Sequence, residues 1–264
     1  IVAKETDKSA AILSKVMAKS DDATVFSVIN NITEKNTNQN SKLSLKVMAD
    51  FSEKNSEKLE SLAQNSADQI QKLTVSAVEE AASSQEDADL IGKIVSGASE
   101  EVINKVITEV TKNSTVEKQA LSAKVMKTIV ETNPDKMETL SDENKENIIT
   151  QTIQAAKNQS EGTSTDDLDL TNTIAEIISN SDSGTTSKIL EELSNASQGT
   201  ESKLSLEVLN NLTKQENYEE KMEILEVTNL SIGNSISNLI EDAVKNATSE
   251  KDLELITSIT EKSK

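Results

Sequence analysis

The sequence predicts an all-α chain built as a tandem array of helical repeats of about 78–83 residues, stacked as a solenoid or rod. Three observations carry that expectation: the chain matches itself at fixed offsets, its apolar residues recur at helical spacing, and strand signals are absent. A shift of 78 lays Ile12-Leu13-Ser14-Lys15-Val16-Met17 on Leu90-Ile91-Gly92-Lys93-Ile94-Val95. The same shift lays Leu45-Lys46-Val47-Met48 on Ala123-Lys124-Val125-Met126. A further shift of 83 carries Ile91, Ile94 and Val95 onto Ile174, Ile177 and Ile178. It also carries Leu121, Val125, Met126 and Ile129 onto Leu204, Val208, Leu209 and Leu212.

These matches divide the chain into repeat 1 (9–86), repeat 2 (87–169) and repeat 3 (170–251). Residues 252–264 read as the start of a fourth repeat, because Ile256 and Ile259 fall 165 positions after Ile91 and Ile94. Residues 1–8 read as the tail of a preceding repeat, with Val2 matching Val244 and Thr6 matching Thr248. The expected object is a window from a longer array.

Each repeat reads as about five short helices. The first carries Ile12, Leu13, Val16 and Met17 and closes at Ser20-Asp21-Asp22, where Ser20 or Asp21 suits an N-cap. The second carries Val25, Val28, Ile29 and Ile32 at i, i+3, i+4 and i+7, a stripe kept by Ile103, Val106, Ile107 and Val110 and, in repeat 3, by Ile189, Leu190 and Leu193. A polar joint, Asn36-Thr37-Asn38-Gln39-Asn40, precedes a third helix with Leu43, Val47, Met48 and Phe51. A short helix around Leu59 and Leu62 follows, then a longer one through Ile70, Leu73, Val75 and Val78. The single proline, Pro134, fits the first turn of the fourth helix of repeat 2, where a missing N–H costs nothing; its counterpart in repeat 1 is Ser56. Gly162, Gly184 and Gly199 fall in joints.

The first and third helices of a repeat are also alike. Lys15-Val16-Met17 recurs as Lys46-Val47-Met48 after 31 residues, and the same offset separates Lys93 from Lys124 and Glu176 from Glu207. Such a doubled helix pair resembles the architecture of HEAT-like α-solenoids, and that resemblance implies stacking in which each unit supplies the next with an apolar face. No family signature motif accompanies it.

Composition narrows function. The 264 residues hold no His, Cys, Trp or Arg, so all 27 basic residues are Lys. Acid–base work near neutral pH leans on His, thiolate nucleophiles need Cys, and zinc or copper sites need one or the other. No catalytic, cofactor-binding or metal-binding residue is expected, and no cofactor. The formal charge of −19 argues against nucleic acid, which is held by clustered Lys and Arg. No apolar run of membrane-spanning length occurs, so no membrane insertion is expected in this window.

Individual candidates read as structural. Asp166, Asp167 and Asp169 lack EF-hand spacing and suit helix capping rather than calcium; Ser181-Asp182-Ser183-Gly184 reads as a turn. Lys15, Lys46, Lys93 and Lys124 give way to Glu176 and Glu207 in repeat 3, a reversal that suggests a solvated face. Met17, Met48 and Met126 read as core filler. Acceptor triplets for N-glycosylation begin at Asn31, Asn113, Asn158, Asn195, Asn211, Asn229 and Asn246, as a chain rich in Asn, Ser and Thr produces by chance.

The expectation is therefore a structural, non-catalytic segment of a longer acidic helical repeat protein that forms or spans a fibre, surface layer or stalk. Its partners would be copies of itself or neighbouring repeats. The alternative is a solenoid scaffold that binds a protein or peptide on its concave face. An extracellular or cell-surface setting suits the acidic surface, and a cytoplasmic one is the alternative.

Overall fold

The computed structural model describes residues 2–35, 42–79, 81–82, 84–160, 162, 169–197, 204–216, 218, 241, 244–245, 247, 249–250, 252–254 and 256–257. The fold is all-helical, and no strand occurs among the described residues. The helices fully bounded among the described residues are, in order, α1 (Val2–Lys19), α2 (Asp22–Lys35), α3 (Leu43–Lys54), α4 (Ser56–Glu79), α5 (Gln85–Gly97), α6 (Glu100–Thr111), α7 (Val116–Thr132), α8 (Asp135–Glu138), α9 (Asp142–Ser160), α10 (Leu170–Asn180), α11 (Ser183–Ser197) and α12 (Leu204–Leu212). Contacts divide the chain into two compact units, Ile1–Asn113 with Glu138–Asn144, and Ser114–Met137 with Lys145–Lys264.

In the first unit, α1 packs on α3 and α3 on α5, while α2 packs on α4 and α4 on α6. Sequence-adjacent helices join these two rows through contacts of α1 with α2, α3 with α4 and α5 with α6. In the second unit α10 packs against α7 on one side and α12 on the other, with α11 against both α10 and α12.

The apolar stripe of α6 is the part of that helix that lies inside. On α6, Val102, Ile103, Val106, Ile107 and Val110 are all buried, and Glu100 and Glu101 favour the positive end of its dipole. Met17, Met48 and Met126 are fully buried, as expected of core filler. The capping residues act where the sequence places them. The Thr24 N–H donates to Asp21 Oδ1 at 2.7 Å, so Asp21 caps α2, while the Ser20 hydroxyl donates back to the Val16 carbonyl at 2.8 Å. Ser84 and Thr115 cap α5 and α7 in the same way.

Two pairs of residues 78 apart share local geometry. Asn55 and Asn133 close α3 and α7 with near-identical backbone angles (φ −140°, ψ 43° and φ −151°, ψ 64°), and their N–H groups donate to Phe51 and Ile129. Thr74 and Thr152 are both buried and donate to the carbonyls of Ile70 and Ile148, each at 2.7 Å.

Several expectations need correction. The first helix of repeat 1 is longer than expected: α1 runs unbroken from Val2, through the position between residues 8 and 9. Its apolar positions are not all inside, since Ile12 is 62% exposed and Val16 45%. The fourth and fifth helices of repeat 1 are continuous as α4, bent at Ser66 where the backbone leaves helical angles; in repeat 2 they separate into α8 and α9. Pro134 sits one residue ahead of α8, its carbonyl accepting from the Met137 N–H. The joint at 36–40, together with Asp166, Asp167 and Gly199, lies outside the described residues.

Candidate functional site

Among the described residues, α5 packs on α3, α6 on α4 and α10 on α7, which are junctions between the segments that the sequence matches delimit. Between repeats 2 and 3, Ile174 and Ile177 of α10 and Ile189 of α11 close over Met126 of α7 and Ile149, Thr152 and Ile153 of α9, leaving no space for a water molecule. All three isoleucines are at most 2% exposed. Their counterparts in repeat 2, Ile91 and Ile94 of α5 and Val106 of α6, are fully buried, with α5 packed on α3 and α6 on α4.

Charges cross the same junctions. Lys93 of α5 pairs with Glu53 of α3 at 3.1 Å. At the position equivalent to Lys93, α10 carries Glu176, and it pairs with Lys127 of α7, which also holds Glu131 at 2.8 Å. Glu131, the counterpart of Glu53, keeps its sign, and Glu176 is met instead by Lys127, which stands where repeat 1 has Ala49. Lys15 and Lys93 are exposed, as a solvated face requires, and Glu176 is half-buried. The expectation is corrected for the third-helix lysines. Lys46 has an 11% exposed side chain held between Asp7 of α1 (2.7 Å) and Glu86 of α5 (2.9 Å), and Lys124 is buried. Burial opposes the charge on Lys46, but hydrogen bonds to Asp7 and Glu86 prevail and raise its pKa.

Two further junction features escaped the sequence reading. Lys42 reaches back to Asp87, a completely buried carboxylate, at 2.6 Å, and the Ala82 N–H donates to the same carboxylate at 2.7 Å. Lys42 itself takes a left-handed backbone (φ 46°), which turns the chain into α3. Gly97, at the end of α5, lies against the backbone of α3 so closely that a Cβ there would sit 2.0 Å from the Ser52 carbonyl oxygen. A local pattern of polar and apolar letters contains no sign of either contact, because each joins residues about 45 apart.

The remaining candidates are caps. Asp169 accepts from the Asn172 N–H at 3.0 Å and so opens α10. Asp182 accepts from the Thr185 N–H at 2.8 Å and the Thr185 hydroxyl at 2.6 Å, which opens α11. Burial pushes the Asp182 carboxyl up, yet these bonds and the nearby Lys145 outweigh it and hold the group below its ordinary range. Burial, with Glu146 and Glu191 nearby, pushes Glu192 up. Among the described residues no three carboxylates gather as metal ligands would, and no helix is long and apolar enough to cross a membrane.

No family model matches the chain, and no curated protein matches it. Among solved structures it is similar to a chain described under "Computational Design of Self-Assembling Cyclic Protein Homooligomers", at 17% identity and a TM-score of 0.23, covering 99% of this chain and 90% of that one. At that score the likeness carries no argument.

Proposed function

We propose that the chain is a structural, non-catalytic segment of an acidic α-solenoid, in which repeats of about 80 residues stack through equivalent junctions to form or span a fibre, surface layer or stalk. The observation that carries this reading is the recurrence of one junction at successive repeats. Ile91, Ile94 and Val106 in repeat 2, and Ile174, Ile177 and Ile189 in repeat 3, are buried alike. An ion pair joins the first helix of the later repeat to the third helix of the earlier one in both places, Lys93 with Glu53 and Glu176 with Lys127. Stability in such an array is roughly a sum over neighbouring contacts, so length can grow without a new core.

The composition supports a passive role. Interfaces that capture protein partners concentrate binding energy in Trp, Tyr and Arg, and this chain has one Tyr and neither of the others. A formal charge of −19 keeps long arrays from collapsing on one another, which suits a polymer outside the cell or at its surface. Electron microscopy of tandem arrays with increasing numbers of repeats tests the reading. Regular rods or filaments support it; separate particles with no end-to-end order overturn it.

A further inference from the structure

The junction residues expose one position where the pattern is left incomplete. Ile174, Ile177 and Ile189 map, through the two repeat offsets, onto Leu13, Val16 and Val28. In repeats 2 and 3 all three positions are at most 2% exposed, whereas Val16 is 45% exposed and Leu13 and Val28 are only partly buried. The same helices bury their other apolar residues: Met17 of α1 and Val25 of α2 are fully enclosed. The open side of α1 and α2 is therefore one particular face, the one whose equivalents are covered by α3 and α4 in repeat 2 and by α7 and α9 in repeat 3.

We infer that the face formed by Leu13, Val16 and Val28 is a docking surface for another copy of this repeat, which seats on it the third and fifth helices equivalent to α7 and α9. The occupant is specified by the filled junction: a Met at the Met126 position and branched apolar residues at the Ile149 and Ile153 positions. In repeat 1 the Met126 and Ile153 positions hold Met48 and Val75 and the Ile149 position holds Gln71; these lie on α3 and α4, the helices that pack against α5 and α6, where Ile91, Ile94 and Val106 are fully buried. Charge fits too. Lys15 stands exposed at the position where Lys93 meets Glu53 and Glu176 meets Lys127, and it calls for an occupant with Glu at the Glu53 position. Burying such a face removes apolar area from water and extends the stack by one unit. This inference rests on the stacked-repeat reading and names its contact surface.

The chain has no cysteine, so a single substitution reports one site. Val16→Cys, Ile94→Cys and Ile177→Cys are each made in the full chain, with helicity checked by circular dichroism, and labelled with a thiol reagent. Val16→Cys is then placed in an extended chain, residues 1–86 followed by 9–264, in the second occurrence of position 16. Labelling there is expected to be at least roughly a hundredfold slower than in the unextended chain, approaching the two buried positions. A rate within about threefold of the unextended chain overturns the docking assignment. Rapid labelling at 94 and 177 would instead sink the stacked-repeat reading. Amide exchange over residues 9–19 in both chains without cysteine gives the same answer free of substitution: slower exchange in the extended chain supports the assignment, and unchanged exchange overturns it.

Discussion

Gly97→Ala applies the smallest available wedge to the contact between α3 and α5. The added Cβ would lie 2.0 Å from the carbonyl oxygen of Ser52, 2.6 Å from its carbonyl carbon and 3.1 Å from its Cα. All three atoms are backbone, so no rotamer change relieves the overlap, and the helices must part by roughly 1 Å to restore an ordinary contact. A gap of that size forfeits a quarter to a half of each dispersion contact it opens. The contacts at stake include Leu45, Met48 and Phe51 on α3 and Ile91, Ile94 and Val95 on α5, all buried. Overpacking a tight core costs about 1–3 kcal/mol, and a backbone clash belongs at the top of that range. Thermal unfolding followed by circular dichroism at 222 nm is expected to show Tm lower by about 6–12 °C, at about 2–4 °C per kcal/mol for a chain of this size. Gly184→Ala is the milder comparison: its nearest neighbour is the Asp182 carboxylate at 3.1 Å, which must shift by a few tenths of an ångström while capping α11, so its Tm is expected to fall far less than that of Gly97→Ala. A Gly97→Ala protein within about 2 °C of the parent would refute the close approach of the two helices.

Reversing one member of the α3–α5 pair, Lys93→Glu, should lower stability by about 0.5 kcal/mol and be restored by adding Glu53→Lys, as read by a double-mutant cycle in denaturant; no coupling would remove the junction charge from the account. Asp87→Ala deprives Lys42 and the Ala82 N–H of a buried acceptor and should cost about 2–3 kcal/mol in chemical denaturation, whereas a loss under 1 kcal/mol would contradict its role. Asp182 has a folded pKa below its ordinary value, so its cap contributes above about pH 4 and is lost as pH falls through the folded pKa; Asp182→Ala should cost about 1 kcal/mol at pH 7 and progressively less below pH 4. Glu192 is shifted the other way, so its ionisation weakens the fold as pH rises through the raised pKa. Glu192→Gln should raise Tm at pH 7 and leave it unchanged below about pH 4.

Much of this fold is written in local periodicity. The i, i+3, i+4, i+7 stripe on α6 is the buried face, and Asp21 and Asp169 cap the helices they precede, because helix faces and caps depend on residues within one or two turns. The repeat offsets also locate equivalent buried positions, as Thr74 and Thr152 show. What escaped depends on contacts across a junction. The change from Lys93 to Glu176 looked like indifference to charge, since the residue 78 before Lys127 is Ala49 and the compensating lysine has no aligned counterpart. A search for opposite charges about 40–49 residues upstream would have found both pairs. Lys46 defeated the same reasoning because a long side chain can bury its stem while its ammonium meets two carboxylates from neighbouring helices. Gly97 was one glycine among six, and only the backbone of α3 makes it different.

Small-angle X-ray scattering of the chain beside versions lengthened by one, two and three repeats tests the central claim most directly. Stacking through equivalent junctions predicts a maximum dimension that rises by the same increment with every repeat, while the cross-sectional radius stays constant. A cross-section that grows with repeat number, or increments that vary as expected for beads on flexible joints, would contradict it.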